Sequence, residues 1–213
     1  PTIIKSWRGS PRAIFDGEYT LKDLILIRAL RTAPIKGIRV ENVEIYRAQG
    51  RGINIADYVE HAELTGIKAT EGFGDGSGVG GAIVVQMLDS LHKFTIRNCY
   101  IAGNQRNITP DYNNVGGISV VSEVNAKSGS TLDLYDNVIH DEYIGIRQKH
   151  SGNITMNAYR NKIYDTNKAL YLRAYNNEIH HNVIYNSETA LWLEAEAQNS
   201  DARNHIYNNT VYN

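Results

Sequence analysis

Cysteine, proline and long apolar runs are scarce in this 213-residue chain. Cys99 is the only cysteine, which excludes a disulfide framework and a cysteine-type zinc site. No run of about 18 consecutive apolar residues exists, so no membrane-crossing helix is expected. Neither sign of charge is in excess: 22 Lys and Arg stand against 23 Asp and Glu, a formal net charge of −1. Such a chain is not a general polyanion binder, and no nucleic-acid partner is expected; an anionic partner has to be held by a local basic patch. The start, Pro1-Thr2-Ile3-Ile4, carries no charged leader region. What is abundant is asparagine and isoleucine, 22 and 24 residues, beside 18 glycines and 14 tyrosines. Asparagine and glycine form helices poorly and isoleucine is β-branched, which argues against a helical bundle. The length suits one domain over 1–213.

A short phrase recurs: Asn98-Cys99-Tyr100-Ile101, Asn137-Val138-Ile139-His140, Asn161-Lys162-Ile163-Tyr164, Asn182-Val183-Ile184-Tyr185 and Asn209-Thr210-Val211-Tyr212, with a looser copy at Asn42. The later intervals are 39, 24, 21 and 27 residues. A second phrase lies between the copies: Gly117-Ile118-Ser119-Val120, Gly145-Ile146-Arg147-Gln148, Ala169-Leu170-Tyr171-Leu172 and Ala190-Leu191-Trp192-Leu193. In three successive units it begins eight positions after the asparagine. Short β-rich units of this length predict an all-β chain, a single-stranded right-handed parallel β-helix in which the asparagines ladder inside a turn. The rival is a sandwich or barrel of hairpins, but Asp16-Gly17 and Asp75-Gly76 are the only tight-hairpin signals. Residues 72–81 are glycine-rich and read as a loop. The chain stops on an asparagine phrase. Since a solenoid end needs a cap, either the chain is truncated or something else covers the last coil.

Strand residues alternate in and out. With Ile118, Ile146, Leu170 and Leu191 inward, one outward column is Ser119, Arg147, Tyr171, Trp192 and the next is Val121, Lys149, Arg173, Glu194. Arg147, Lys149, Tyr171, Arg173, Trp192 and Glu194 are therefore expected to form one strip on the outside. Like charges one rung apart are destabilising unless an anion or a carboxylate lies between them, and Lys149 and Arg173 are such a pair. Aromatic rings beside cations suit a sugar bearing a carboxylate. The unit from Asn98 to Gly117 carries 11 extra residues, a loop expected to bring Tyr112 near Lys149. His150 is expected either at the edge of the cleft or facing the core. His140, His180, His181 and His205 read as surface or turn residues.

Cleavage of a uronate polymer by β-elimination needs a cation to neutralise the carboxylate, a base for the C5 proton and an acid for the leaving oxygen. Arg147, Arg173, Lys149 and Tyr112 supply that set. Hydrolysis needs two facing carboxylates, and calcium an acidic cluster; the strip offers only Glu194. No metal and no cofactor are expected.

The Asn-x-Ile-Tyr and Gly-Ile or Ala-Leu phrases resemble the repeats of secreted right-handed parallel β-helix polysaccharide lyases, over residues 37–213. They are most similar to the extracellular bacterial alginate lyases of polysaccharide lyase family 31. The resemblance implies endo-type cleavage of mannuronate–guluronate polymer (alginate), with Tyr112 and Lys149 catalytic; the strip read from strand alternation then supplies Arg173, Arg147, Tyr171, Trp192 and Glu194, with His150 beside them, as the expected substrate-binding residues. It also implies a secreted, extracellular protein, active as a monomer. Alginate lyases of family 6 are similar in fold; there Lys149 and Arg173 would take the catalytic roles, often with calcium. The competing readings are a non-catalytic β-helix adhesin or tailspike-like carbohydrate-binding protein, and a polygalacturonase-type hydrolase.

Overall fold

The computed structural model describes residues 2–5, 12–72, 80–87, 91–103, 115–122, 128–149, 154–173, 176–194 and 203–213. Among these the chain is all β. The strands follow one another in triplets. The first is β1 (Thr2–Lys5), β2 (Ala13–Asp16) and β3 (Asp23–Ala29), and the second β4 (Ile38–Glu41), β5 (Val43–Ala48) and β6 (Arg51–Asp57). The third is β7 (His61–Thr65), β8 (Lys68–Gly72) and β9 (Gly81–Met87), and the fourth β10 (Lys93–Arg97), β11 (Tyr100–Ala102) and β12 (Ile118–Ser122). The fifth is β13 (Ser130–Tyr135), β14 (Val138–His140) and β15 (Ile144–Lys149). Beyond it the second and third strands fuse: β16 (Ile154–Tyr159) leads into β17 (Lys162–Leu172), and β18 (Glu178–His180) into β19 (Val183–Leu193). β20 (His205–Tyr207) and β21 (Thr210–Tyr212) end the series.

Every ladder between these strands is parallel. The first strands of successive triplets form one sheet of eight, β1-β4-β7-β10-β13-β16-β18-β20. The second and third strands share a sheet of 13, joined through β17, which pairs β14 along its first half and β15 along its second. Three tracks of parallel strands result, and the chain visits them in the same order each time. The hairpin alternative is thereby excluded among the described residues.

Parallel registry stacks like on like, and the sequence answers with columns of apolar side chains. Val40, Leu64, Ile96, Leu134, Ala158 and Ile179 align in the first track, and Ile45, Ala69, Ile101, Ile139, Ile163 and Ile184 in the second. All are buried. Each large member contributes about 1.5–3 kcal/mol through burial.

First and second tracks meet at a two-residue corner whose first residue is left-handed: Asn42, Gly66, Asn98, Asp136, Arg160, His181 and Asn208, with φ between 52° and 66°. The next residue points inward. In the last four circuits it is asparagine, and the expected ladder forms there. The Asn161 Oδ1 accepts from the backbone N–H and the Nδ2 of Asn137, at 3.1 and 2.9 Å. The Asn161 Nδ2 donates to Leu134 O and to Asn182 Oδ1. Asn182 and Asn209 repeat the pattern.

Higher up, the inward position holds Val43, Ile67 and Cys99, all buried. This corrects the sequence alignment by one residue. Tyr100 pairs with Val138, so Cys99, not Asn98, stands over Asn137, and its N–H donates to the Asn137 Oδ1 at 3.0 Å. Asn98 and Asn42 are the left-handed corner residues, a role that asparagine also tolerates. Counted from Cys99 to Gly117, the extra length of this unit is accordingly one residue less than the offset from Asn98 gives. Burial pushes the Cys99 thiol up to about 12.

Aromatic columns flank the corner. Tyr135, Tyr159, His180 and Tyr207 stack at 4.9–5.1 Å on one side, and His140, Tyr164, Tyr185 and Tyr212 at 4.5–5.1 Å on the other. Of the histidines read as surface or turn residues, His140 and His180 are the last residues of β14 and β18 and members of these stacks.

Candidate functional site

From the second triplet onward the first and second tracks are joined by only one or two residues, whereas most long connections, apart from 6–12 between β1 and β2, flank the third. Residues 73–80 and 103–117 precede β9 and β12, and 88–92, 123–129 and 194–204 follow β9, β12 and β19. Connections of this length at one face of a repetitive scaffold are where function is usually carried.

On that outer face the register is as the sequence predicts. Leu26, Asn54, Val84, Ser119, Arg147, Tyr171 and Trp192 form one column. Their exposure is not as predicted. Leu26 and Trp192 are open at the two ends, 52% and 45% exposed, but Asn54, Val84, Ser119, Arg147 and Tyr171 are at most 3% exposed. The expected surface strip is therefore corrected at Arg147 and Tyr171: they lie outside the apolar core yet are buried. Burial, more than the neighbouring Arg173 charge, pulls the Arg147 guanidinium down to about 10 against a favourable contribution from Tyr171, so it is still a cation at neutral pH. Burial, then a hydrogen bond to Glu194, pushes the Tyr171 phenol up to about 12.

The second column runs Gln86, Val121, Lys149, with Arg173 and Glu194 on the following rungs. Lys149 is half-buried at the end of β15. Glu194 ties the column to the first: the Tyr171 hydroxyl donates to its Oε2, and the Arg173 Nη2 reaches its Oε1 at 3.3 Å. The carboxylate expected to offset Arg173 is thus in place. Tyr171 meets Trp192 edge to face, with centroids 6.3 Å apart.

Lys168 belongs to this group and was missed. Its Nζ lies 4.3 Å from the Trp192 ring centre and 5.2 Å from that of Tyr171, and the residue is nearly buried. The sequence signal was its place one position before the Ala169-Leu170 phrase, on the rung between Ile144 and Thr189. Tyr112 and His150 fall outside the described residues, and so does the Tyr112–Lys149 pairing.

Toward β3 the same face opens into a polar groove of about 280 Å³ lined by Asp23, Arg28, Arg51, Asn54, Asp57 and Gln86. Its carboxylates are engaged: Asp23 by Arg51 at 3.2 Å and Asp57 by Arg28. The Gln86 Nε2 donates to Asn54 Oδ1 and the Asn54 Nδ2 to Asp23 Oδ1, both at 3.4 Å. Among the described residues no three His, Cys, Asp or Glu side chains converge as a metal site. The arrangement can fix an acid group between cations and supply a phenol or an amine for proton transfer. No family model, no curated protein and no solved structure matches the chain.

Proposed function

We propose that the three tracks wind as a right-handed parallel β-helix and that the third track binds and cleaves a uronate polymer, alginate in the first instance, by β-elimination. Lys149 and Tyr112 are the proton-transfer pair. One removes the proton from C5 while the other protonates the departing O4; the C4–O4 bond breaks and a C4–C5 double bond forms. Arg173, with Arg147 beneath it, offsets the charge that develops on the carboxylate. Trp192 and Tyr171 flank the sugar, Glu194 holds Arg173 and Tyr171 in position, and His150 borders the cleft. The reaction needs no cofactor or metal, and the protein acts outside the cell as a monomer.

The observation that carries this reading is the register that pairs Gln148 with Leu172, so that Lys149 and Arg173, the next residue of each, follow one rung apart, with Arg147 buried alongside, on the face where most long connections collect. The test is a panel of uronate polymers followed by the ultraviolet absorbance of unsaturated products. Absorbance should rise on alginate and be lost in Lys149→Ala and Tyr112→Phe variants that keep the wild-type unfolding transition. No rise on any uronate polymer overturns the reading. Retention of polymer without product would point instead to a carbohydrate-binding β-helix, and saturated reducing ends to a hydrolase.

A further inference from the structure

A second basic surface lies on the first track, away from the third-track strip. There a groove of about 460 Å³ crosses the rungs of β4, β7 and β10, lined by Lys36, Arg39, His61, Glu63, Lys93 and Thr95. It owes its hollow to side-chain size. Gly37 precedes Ile38 on the rung where His61 and Lys93 stand in the neighbouring strands, and the short Thr95 follows Glu63 in the adjacent column. The lining holds three permanent cations, Lys36, Arg39 and Lys93, against one carboxylate, Glu63.

That carboxylate is already saturated. The Glu63 Oε2 lies 2.8 Å from the Arg39 Nε and its Oε1 accepts from the Arg97 Nη2 at 2.8 Å, so two guanidiniums share it. Hydrogen bonding to Arg97 holds its pKa below the usual value, with Arg39 adding to the effect, so it stays ionised. Lys36 reaches out to Glu60 at 2.6 Å. Lys93 and His61 are exposed neighbours in register, with no ion-pair partner among the described residues. Glu60 on Lys36 and Glu41, 3.8 Å from Arg39, partly offset the excess, which leaves Lys93 as the lining cation without a carboxylate among the described residues.

We infer that this groove is a second binding site for an acidic polysaccharide, whose acid groups bridge Lys93, Arg39 and Lys36. Its place on the first track separates it from the chemistry, so it retains a long chain without touching the bond being cleaved. The identity of the polymer as a uronate rests on the proposed function; the anion chemistry of the groove does not.

The experiment is affinity electrophoresis of the whole chain through gels containing alginate or, separately, heparin as a sulfated probe, at low ionic strength. Lys36→Glu/Lys93→Glu is compared with wild type and with Lys162→Glu, a charge reversal on the second track. The double variant gives up the Lys36–Glu60 pair and Lys162→Glu its contacts with Tyr164 and Tyr185, so retardation is compared at a temperature well below the lowest of the three thermal midpoints. The double variant should lose retardation at least fivefold in apparent affinity on one or both polymers, whereas Lys162→Glu should not. Its turnover of a short uronate oligosaccharide should match wild type while turnover of long polymer falls. Unchanged retardation of the double variant on both polymers overturns the site. Variant-sensitive retardation without any unsaturated product would leave the site standing and sink the lyase reading instead.

Discussion

The two ends of this molecule use one backbone corner and fill it with opposite chemistry. In the early circuits the inward corner residue is apolar, Val43, Ile67 or Cys99, and the outer first-track columns are joined by ion pairs such as Arg39–Glu63–Arg97. In the late circuits it is asparagine, and the flanking outer columns are stacked rings. The left-handed residue before it is present in both. A corner of this shape is therefore set by the backbone, and either burial or amide pairing can fill it. The difference lies in how the loss of one side chain spreads. An apolar residue leaves a local void, while an asparagine leaves orphaned polar groups on two rungs.

The sharpest way to break the comparison is Asn161→Leu, which gives a late circuit the early chemistry. The Asn137 N–H and the Leu134 carbonyl lose their partners in a buried corner. The expected cost is about 4 kcal/mol in denaturant unfolding; a loss below about 1 kcal/mol would show that apolar filling serves equally well there. Next comes Gly145→Ala, on the inner side of the second corner. Its new Cβ would lie 2.7 Å from both Ala169 O and Ile163 Cγ2. Overpacking should cost about 1–3 kcal/mol by the same measurement.

Cys99→Asn is the converse exchange, extending the amide ladder upward by one rung. It should change stability by no more than about 1 kcal/mol, because a lost apolar contact is offset by new amide bonds. The native thiol itself, buried and raised to about 12, should resist alkylation at pH 8 and react fully in denaturant.

The smallest effect belongs to the exposed chemistry of the early half. Glu63 titrates below the usual 4.5 because of Arg97 and then Arg39. Its contribution is thus present above that value and disappears as pH falls through the lower folded value. Glu63→Gln should cost below about 1 kcal/mol at pH 7, and the gap to wild type should close in acid.

The late circuits were legible because asparagine at an inward corner is a rare, discrete signal, and its intervals revealed the circuits. The early ones were not, because Val43 and Ile67 look like any buried strand residue. The misalignment at Cys99 has the same root: asparagine favours both the left-handed position and the ladder position, and Asn98 occupies the first. At the candidate site the alternation rule placed Arg147, Tyr171 and Trp192 in one column, since register follows from backbone pairing alone. It could not show that Arg147 and Tyr171 are buried while Trp192 is open, nor that Lys168 lies over the Trp192 ring.

By itself the sequence determined the parallel stacking of like residues, because repeated apolar columns and an asparagine ladder are satisfied together only when equivalent positions lie one rung apart. Only the tertiary structure decided which outward side chains meet solvent, where charge gathers into a groove and which carboxylate is taken by which cation. Those depend on what covers a face and on contacts between circuits, and no local pattern along the chain encodes them.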